Sequence, residues 1–581
     1  MYMKQAKHIL SAALLLALTF APCIAFAQAT VKDAYKAVVN IIAYDADGKL
    51  LRSGTGVYLD EQGTCAAPYS LLEGASSADV FDAKGTKSTV RRILGASSNY
   101  DVVRFSTTAP KKVTWFPLAD DATFTATTPV LVLRYTTNKK DQPAQASIDK
   151  VDTYDAYTYL HLSLANDEAN FARPVISADA RLVGFVQKNV AKDATTACAI
   201  DARFLSDLAI TSTSTLNADL RNIHIAKALP TAEADARTYL YMLPTSDSAA
   251  YITACTDFIE TFPVSAEGRV IRARFLAEKK QYAEAEADFS AALSAASEDG
   301  SEYTPAEVHN ELSKSIFQKA LSAPQPAYAD WTLDRAEREA AEAYALSPQP
   351  VYLLQKGRCL FANKKYAEAK NVFQTLAQLP DTTANGTWSA QTRAENWFYA
   401  ARSHELAGGD SLEVIALLDS ALAVSPQPYT QAAAQFFLER AQRLQRAGLF
   451  RRAVADYNEY EKIIGPSNLG AEFYYVREQA EVECRMYQQA LDDIHTAVNR
   501  APQSIDLKIE GALIYLRAGL WAEAVSASRQ ILTLAPSSAD AYKIMGIALG
   551  EQGKKADAQT ALKKAKELGD ESADAYLERY K

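Results

Sequence analysis

The chain has 581 residues, of which 48% are hydrophobic and 23% charged. This composition is typical of globular proteins and excludes a disordered chain, and the length allows about three domains. The formal net charge of −9 argues against nucleic acid as a partner, because nucleic-acid binding needs a basic surface.

Residues 1–27 are predicted to form a signal peptide. Lys4 and Lys7 precede a short apolar run, and Ala25 and Ala27 supply the small residues of a cleavage site. The run is short for a membrane span. We therefore expect an exported protein, periplasmic or extracellular, with no membrane span. Removing this segment takes two lysines and no acids, so the formal charge changes from −9 to −11.

Residues 28–208 are predicted to be rich in β-strands. Short runs such as "AVVNIIAY", "PVLVLRY" and "RLVGFVQ" are rich in Val, Ile, Tyr and Phe, and Gly, Asp, Asn and Pro separate them. Many short strands without long helices favour a barrel or a sandwich. The polar stretch "STSTLNAD" predicts a linker over 209–230.

From residue 231 the pattern is helical and repeats. The alanines Ala490, Ala524 and Ala558 are 34 residues apart, which is the tetratricopeptide period. Small residues such as Gly546 allow two antiparallel helices to approach closely, and prolines such as Pro536 end the second helix. The region resembles the tetratricopeptide family. This resemblance implies an all-α solenoid, a right-handed superhelix of seven or eight helix pairs over 231–570, with a capping helix over 571–581.

Three stretches of the β-rich half form a recognisable set: "SGTGVYLDEQGTCAAPYSLLEGA", "ILGASSNYDVVRFS" and "ANFARPVISADARLVGFVQ". Together they resemble the trypsin-like serine proteases of the bacterial stress-protease kind, and this resemblance implies a double β-barrel. In the alignment that this implies, Ser70 occupies the position of the family's histidine and Asp101 that of its aspartate. Phe171 occupies the position of the nucleophilic serine.

These substitutions predict a domain without peptidase activity. Phenylalanine offers no nucleophile, and a serine hydroxyl cannot act as a base near neutral pH. Ala169 and Arg173 stand where the oxyanion hole favours small residues. We therefore expect no catalytic residue, only the remnant positions Ser70, Asp101 and Phe171. We also expect no cofactor and no metal.

The alternative is a serine- or cysteine-type peptidase with a displaced catalytic group. His161 is the histidine available between residues 28 and 208, and a half-buried strand position is favoured for it. Cys65 lies in a predicted strand, where a thiol is usually inert. The five cysteines after residue 27 are scattered without zinc-type spacing, so we expect buried small side chains.

Function is therefore predicted to lie in protein or peptide binding, as a scaffold. Repeat solenoids recognise partners on the concave face, which the first helix of each pair lines. The blunted protease cleft is a second possible surface, although Phe171 and Arg173 are more easily read as filling it. The inward positions that do not pack against neighbouring repeats are Arg358, Gln442, Arg446, Tyr475, Gln479 and Arg517.

Overall fold

In a computed structural model, the chain divides into two compact units: 33–276 with 290–297, and 277–289 with 303–581. The predicted signal peptide lies outside the described residues. The residues that the structure describes are 33–108, 112–119, 124–138, 141–154, 156–187, 189–190, 194–297, 303–322, 328–380, 382–383 and 386–581.

The first barrel is a closed, antiparallel sheet of six strands in the order β1-β2-β3-β6-β5-β4. One glycine shows how tightly it closes: a Cβ added at Gly56 would lie 2.8 Å from the carbonyl oxygen of Ala66. The strands are β1 (Val38–Tyr44), β2 (Leu50–Tyr58), β3 (Thr64–Ala67), β4 (Ser77–Phe81), β5 (Lys87–Ser97) and β6 (Val102–Thr107).

The second barrel is also closed and antiparallel, with the order β10-β11-β12-β9-β8-β7. Side chains alternate across its wall, so that Leu160 and Leu162 of one strand are buried in the barrel core and His161 points to the other side. The strands are β7 (Pro129–Val132), β8 (Ala144–Tyr154), β9 (Tyr157–Ala165), β10 (Pro174–Ser177), β11 (Leu182–Gln187) and β12 (Thr196–Asp201).

The two barrels share a buried apolar cluster. Val57 and Val102 of the first barrel belong to the same cluster as Ile176 and Phe185 of the second. This arrangement confirms the predicted double β-barrel.

The predicted linker, 209–230, packs on the first barrel. Ile210, Ile223 and Ile225 are buried in the core cluster of that barrel. The amide of Ile93 on β5 donates to the carbonyl of Ala226 at 2.9 Å, so this segment forms a bridge with β5 outside the six-strand pairing. Three short helices accompany the barrels: α1 (Tyr69–Leu72), α2 (Phe204–Asp207) and α3 (Ala218–Arg221).

The rest of the described chain contains nineteen further α-helices in succession, which confirms the predicted all-α solenoid after the barrels. None of the helices in the described ranges is long and apolar enough to cross a membrane. A two-strand hairpin, β13 (Thr382–Thr383) with β14 (Gly386–Thr387), interrupts them. The helices are α4 (Glu233–Met242), α5 (Ser248–Thr261), α6 (Glu267–Glu278), α7 (Tyr282–Ala296), α8 (Pro305–Ser322), α9 (Leu333–Leu346), α10 (Pro350–Ala362), α11 (Tyr366–Ala377), α12 (Ala390–Leu406), α13 (Ser411–Val424), α14 (Gln431–Arg446), α15 (Phe450–Ile464), α16 (Ala471–Glu483), α17 (Tyr487–Arg500), α18 (Ile505–Arg517), α19 (Trp521–Leu534), α20 (Ala539–Glu551), α21 (Lys555–Glu567) and α22 (Ala573–Arg579).

One turn recurs between paired helices. In these pairs the second helix has a buried alanine near its start, the packing alanine, such as Ala524 of α19. The residue five positions before it adopts a left-handed conformation with positive φ. The following amide donates back into the first helix, as from Leu520 to the carbonyl of Tyr515 at 2.9 Å, which satisfies an otherwise free carbonyl. In the described helix pairs these left-handed residues include Lys280, Lys364, Gly448, Arg485, Gly519 and Gly553.

The two helices of a pair are packed tightly at the position twelve residues before the same alanine. A Cβ added at Gly546 would lie 2.6 Å from Leu562 Cγ, and one added at Gly357 would lie 3.0 Å from Phe373 Cε1. At this position the pair therefore has room only for a small residue.

Candidate functional site

Ser70 and Asp101 lie together at the start of α1. The Ser70 amide donates to Asp101 Oδ1 at 2.8 Å, and the Ser70 hydroxyl donates to Oδ2 at 3.3 Å. Asp101 comes directly before β6 and has a φ of +46°. The structure thus brings together two of the three remnant positions predicted from the sequence.

The contacts give Asp101 a structural role. Pro68 is the N-cap residue of α1 and provides no side-chain acceptor, so the Asp101 carboxylate supplies the acceptor that a helix start needs. Burial raises the pKa of Asp101, and the two hydrogen bonds from Ser70 oppose that increase. Each carboxylate oxygen of Asp101 accepts one hydrogen bond from Ser70.

Phe171 lies in the loop before β10, and its ring packs against the core of the second barrel. The loop is closed onto β11: the Ala172 amide donates to the Val186 carbonyl, and the Val186 amide donates to the Arg173 carbonyl, both at 2.8 Å. Ala172 has a φ of +68°, in the region that favours glycine. Burial lowers the pKa of Arg173, and the nearby Arg134 acts in the same direction.

A polar and aromatic contact lies beside Asp101, between the barrels. The side chain of Gln187 on β11 donates to the carbonyl of Tyr100. The Tyr100 ring meets that of Phe204 edge to face, with the ring centres 4.0 Å apart, and Tyr157 packs on the same Phe204 ring. This contact positions the Asp101 loop against the second barrel.

His161 has two partners that the sequence did not connect to it. Its Nε2 lies 2.9 Å from Asp152 Oδ2, and its Nδ1 lies 3.6 Å from Cys198 Sγ. The three residues come from adjacent strands β8, β9 and β12, where Cys198 is the direct cross-strand neighbour of His161. Cys198 lies 37 residues after His161 and Asp152 lies nine residues before it, so the strand register is needed to bring the thiol into the group.

The group has the order thiol, imidazole, carboxylate, which is the order that activates a nucleophile. The thiol is nevertheless closed off: Cys198 is fully buried, whereas His161 and Asp152 reach solvent. Burial raises the pKa of the Cys198 thiol above its ordinary value, although a hydrogen bond with Tyr159 partly opposes that increase. Lys150 also binds Asp152, at 2.9 Å, and competes with His161 for its charge.

The other cysteine considered from the sequence, Cys65, is buried in β3, as expected. Its sulfur lies 3.8 Å from the Gly63 carbonyl, and burial raises the pKa of the thiol well above its ordinary value. The five described cysteines are all free. Across the described ranges, no three His, Cys, Asp or Glu side chains are placed to hold a metal ion.

The six predicted partner-binding residues lie on first helices of pairs. Four are exposed and two are half-buried, so all reach solvent. The exposed residues are Arg358 on α10, Arg446 on α14, Gln479 on α16 and Arg517 on α18. The half-buried residues are Gln442, whose amide oxygen accepts from Arg443, and Tyr475.

A separate cleft of about 280 Å³ lies among α17, α18 and α19 and contains none of those six residues. Its floor includes Gly511, where the missing side chain leaves space. At one wall His495 Nε2 lies 2.9 Å from the Tyr515 hydroxyl. Sequence reasoning missed this cleft; the available signal was Gly511, which stands where neighbouring repeats carry larger residues.

No protein-family model matches the chain, and no curated protein matches it. Solved structures do match, among them the crystal structure of the serine endoprotease from Yersinia pestis, at 17% identity and a TM-score of 0.26. That match covers 33% of this chain and 65% of the endoprotease chain, less than two thirds of its length. The double barrel described above rests on the strand pairing of this chain.

Proposed function

We propose that this chain is an exported, non-catalytic protein that binds a protein or peptide partner through its tetratricopeptide-like helical region. One observation carries the proposal: Ser70 and Asp101 bond to each other, while the partly buried Phe171 packs against the core of the second barrel. The positions that would supply base and nucleophile are thus used for packing and helix capping. The recurring helix pairs, with their left-handed turns at one register, support a repeat region that recognises partners.

A covalent serine-protease probe tests the missing activity. The full exported chain is incubated with a biotinylated fluorophosphonate, with trypsin as the positive control. We expect no labelling of the chain, because on this proposal it carries no activated serine. Specific labelling that Ser70→Ala abolishes would overturn the proposal.

Site-specific photocrosslinking tests the binding surface. A photoreactive residue replaces Arg358, Gln479 or Arg517 in the full chain expressed in cells, and Arg529 is the control because it is exposed on a second helix, α19. We expect discrete cross-linked species from the first-helix positions and none from Arg529. Equal cross-linking from Arg529 would contradict the assignment of the surface.

The second candidate function is a cysteine-type peptidase with a displaced site, which the Cys198–His161–Asp152 group favours. In this second candidate, a local opening that exposes the buried Cys198 thiol would let His161 accept the thiol proton while Asp152 orients the imidazole ring. An iodoacetamide-labelling rate separates the candidates. Labelling of Cys198 as fast as a free thiol, slowed at least tenfold by His161→Ala, would favour the peptidase; slow labelling unaffected by His161→Ala favours the non-catalytic proposal.

A further inference from the structure

One helix pair, α16–α17, departs from the repeat at this tightly packed position. Twelve positions before the packing alanine, other pairs place a small residue, whereas this pair has Glu478 before Ala490. An acid is thus inserted where neighbouring pairs have room only for glycine or alanine. The small residues at this position in other pairs are Gly357, Ala441, Ala512 and Gly546.

A second acid lies one turn later in the same helix. Nine positions before the packing alanine, other pairs carry a large apolar or aromatic side chain, and this pair has Glu481. Two successive core positions of a single pair are therefore acidic. The corresponding residues elsewhere are Leu360, Leu444, Tyr515 and Leu549.

Both carboxyl groups are buried without sufficient partners. Glu478 has no exposed surface, and neither of its carboxyl oxygens has a hydrogen-bond partner within the described structure. Glu481 is 3% exposed, and its Oε2 also lacks a partner there. A buried polar group without a partner costs stability, so this arrangement is unfavourable to the fold wherever the carboxyls are charged.

The cation nearest to them in sequence, Arg477, does not neutralise them. Arg477 makes a bidentate pair with Asp493, at 2.6 and 2.7 Å, and a third bond to Glu461 at 2.6 Å. Its charge is thus already matched by two carboxylates, and its Nε lies 3.9 Å from Glu481 Oε1. Glu478 and Glu481 gain little from it.

The remaining charged groups around the two acids are also mostly acidic. Burial is the largest cause that raises the pKa of Glu478 to about 8; Glu510 of α18 and Asp493 of α17 add to it, and Arg517 of α18 opposes it. Burial likewise raises the pKa of Glu481 to about 8. Asp493, Asp492 and Glu478 add to that effect, and Arg477 opposes it.

We propose that Glu478 and Glu481 form a proton-dependent latch, which holds the helix pair α16–α17 closed while both carboxyls are protonated and opens it when they ionise. Opening lets the carboxylates reach water, which removes the cost of burying charge. The latch is a property of the fold and does not depend on the proposed partner binding. It would nevertheless move Tyr475 and Gln479, which lie on α16.

The direction of the pH dependence follows from the protons that the closed and open forms bind. An ordinary glutamate pKa is 4.5, and the closed pair raises it to about 8, so the closed form holds protons that the open form releases. The stabilisation of the closed form is complete below pH 4.5, declines as pH rises, and is lost above about pH 8. Each carboxyl changes the opening equilibrium by at most tenfold per pH unit in that window.

Hydrogen–deuterium exchange of the full chain tests the latch between pH 6 and pH 9. Protection of α16 and α17, corrected for the intrinsic pH dependence of exchange, should fall at least about tenfold in the native chain. In Glu478→Gln/Glu481→Gln the decline should disappear, because glutamine resembles the protonated acid and cannot ionise. Glu483→Gln is the matched control, since it removes an exposed acid from the same helix.

Three results overturn the proposal: protection in the native chain that does not change with pH, a decline in the double variant equal to that in the native chain, or a decline abolished by Glu483→Gln. Circular dichroism at pH 6 checks that the double variant is folded. If it is not, the single variant Glu478→Gln is judged by the same criteria, with an expected decline smaller than the native one.

Discussion

At the residue scale, the candidate site shows how a position can lose a chemical role and keep a structural one. Asp101 lies where its carboxylate accepts from the Ser70 amide at 2.8 Å, and that bond caps a helix whose own N-cap residue is Pro68. Its left-handed backbone, with φ of +46°, is one that Asp and Asn tolerate better than alanine does. Two separable physical demands therefore act on one residue.

Substitutions at Asp101 should separate those demands. Asp101→Asn keeps an acceptor and tolerates positive φ, so we expect a change in the free energy of unfolding below about 0.5 kcal/mol. Asp101→Gly loses only the cap and should cost about 1 kcal/mol, and Asp101→Ala should cost more, because it also strains the backbone. Urea unfolding measures the series. A smaller loss for alanine than for glycine would contradict this account.

At the element scale, the helix pairs share a turn that glycine suits best. Gly448, Gly519 and Gly553 occupy its left-handed position in three pairs, whereas Lys364 and Arg485 occupy it with φ near +60° in two others. A side chain with a Cβ is strained in this conformation. The lysine and arginine therefore reduce the stability of their pairs.

Replacing these residues should stabilise the helical region. We expect Lys364→Gly and Arg485→Gly each to raise the free energy of unfolding by about 0.5–1 kcal/mol, and Gly519→Ala to lower it by a similar amount. Thermal unfolding followed by circular dichroism at 222 nm measures the shift. Destabilisation by Lys364→Gly would show that the lysine side chain matters more than the backbone.

Two of the helix pairs share an ion pair between an arginine and a buried aspartate. Arg440 makes two bonds of 2.7 Å to Asp456, and Arg477 makes the same bidentate contact to Asp493. In both pairs the arginine is on the first helix and the aspartate is sixteen residues later, on the second. Removing either partner would leave the other with an unpaired charge in a buried site, which lowers the free energy of unfolding.

Removing one partner should therefore be far more harmful than removing an exposed contact. Arg440→Ala should lower the free energy of unfolding by about 3 kcal/mol, because Asp456 would stay buried and unpaired. The control is Arg452→Ala, which breaks an exposed pair with Asp419 and should cost about 0–1 kcal/mol. Urea unfolding compares the two, and equal losses would contradict a buried role for Arg440.

At the scale of the whole molecule, the sequence predicted what depends on local pattern. The strand pattern favoured a barrel or a sandwich, and the resemblance to trypsin-like proteases selected the double barrel. The 34-residue spacing of Ala490, Ala524 and Ala558 predicted the helical repeats. The meeting of His161 with Cys198 depends on long-range strand register, which no window contains. Glu478 was also missed, because a helix pattern reports periodic apolar residues and not the acid that interrupts them.

Long-range pairing also joins the first barrel to the helix α5. Arg92 on β5 makes two bonds to Asp257, at 2.6 and 2.7 Å, across 165 residues of sequence. Both side chains are less than a quarter exposed, so solvent screens the pair only partly. Tyr239 on α4 is buried in the core cluster of the same barrel. These first helices belong to the same compact unit as the barrels.

Because α5 belongs to the same compact unit as the first barrel, it should unfold together with that barrel. In a double-mutant cycle, Arg92→Ala and Asp257→Ala should each destabilise the chain, with a coupling free energy of about 1 kcal/mol, because either substitution alone already removes the pair. Hydrogen–deuterium exchange of α5 should rise in both single variants to the rate of the double variant. Additive effects in unfolding, or unchanged exchange in α5, would contradict this account. Either result would mean that the ion pair contributes little and that the apolar contacts of Tyr239 and its neighbours hold these helices on the barrel.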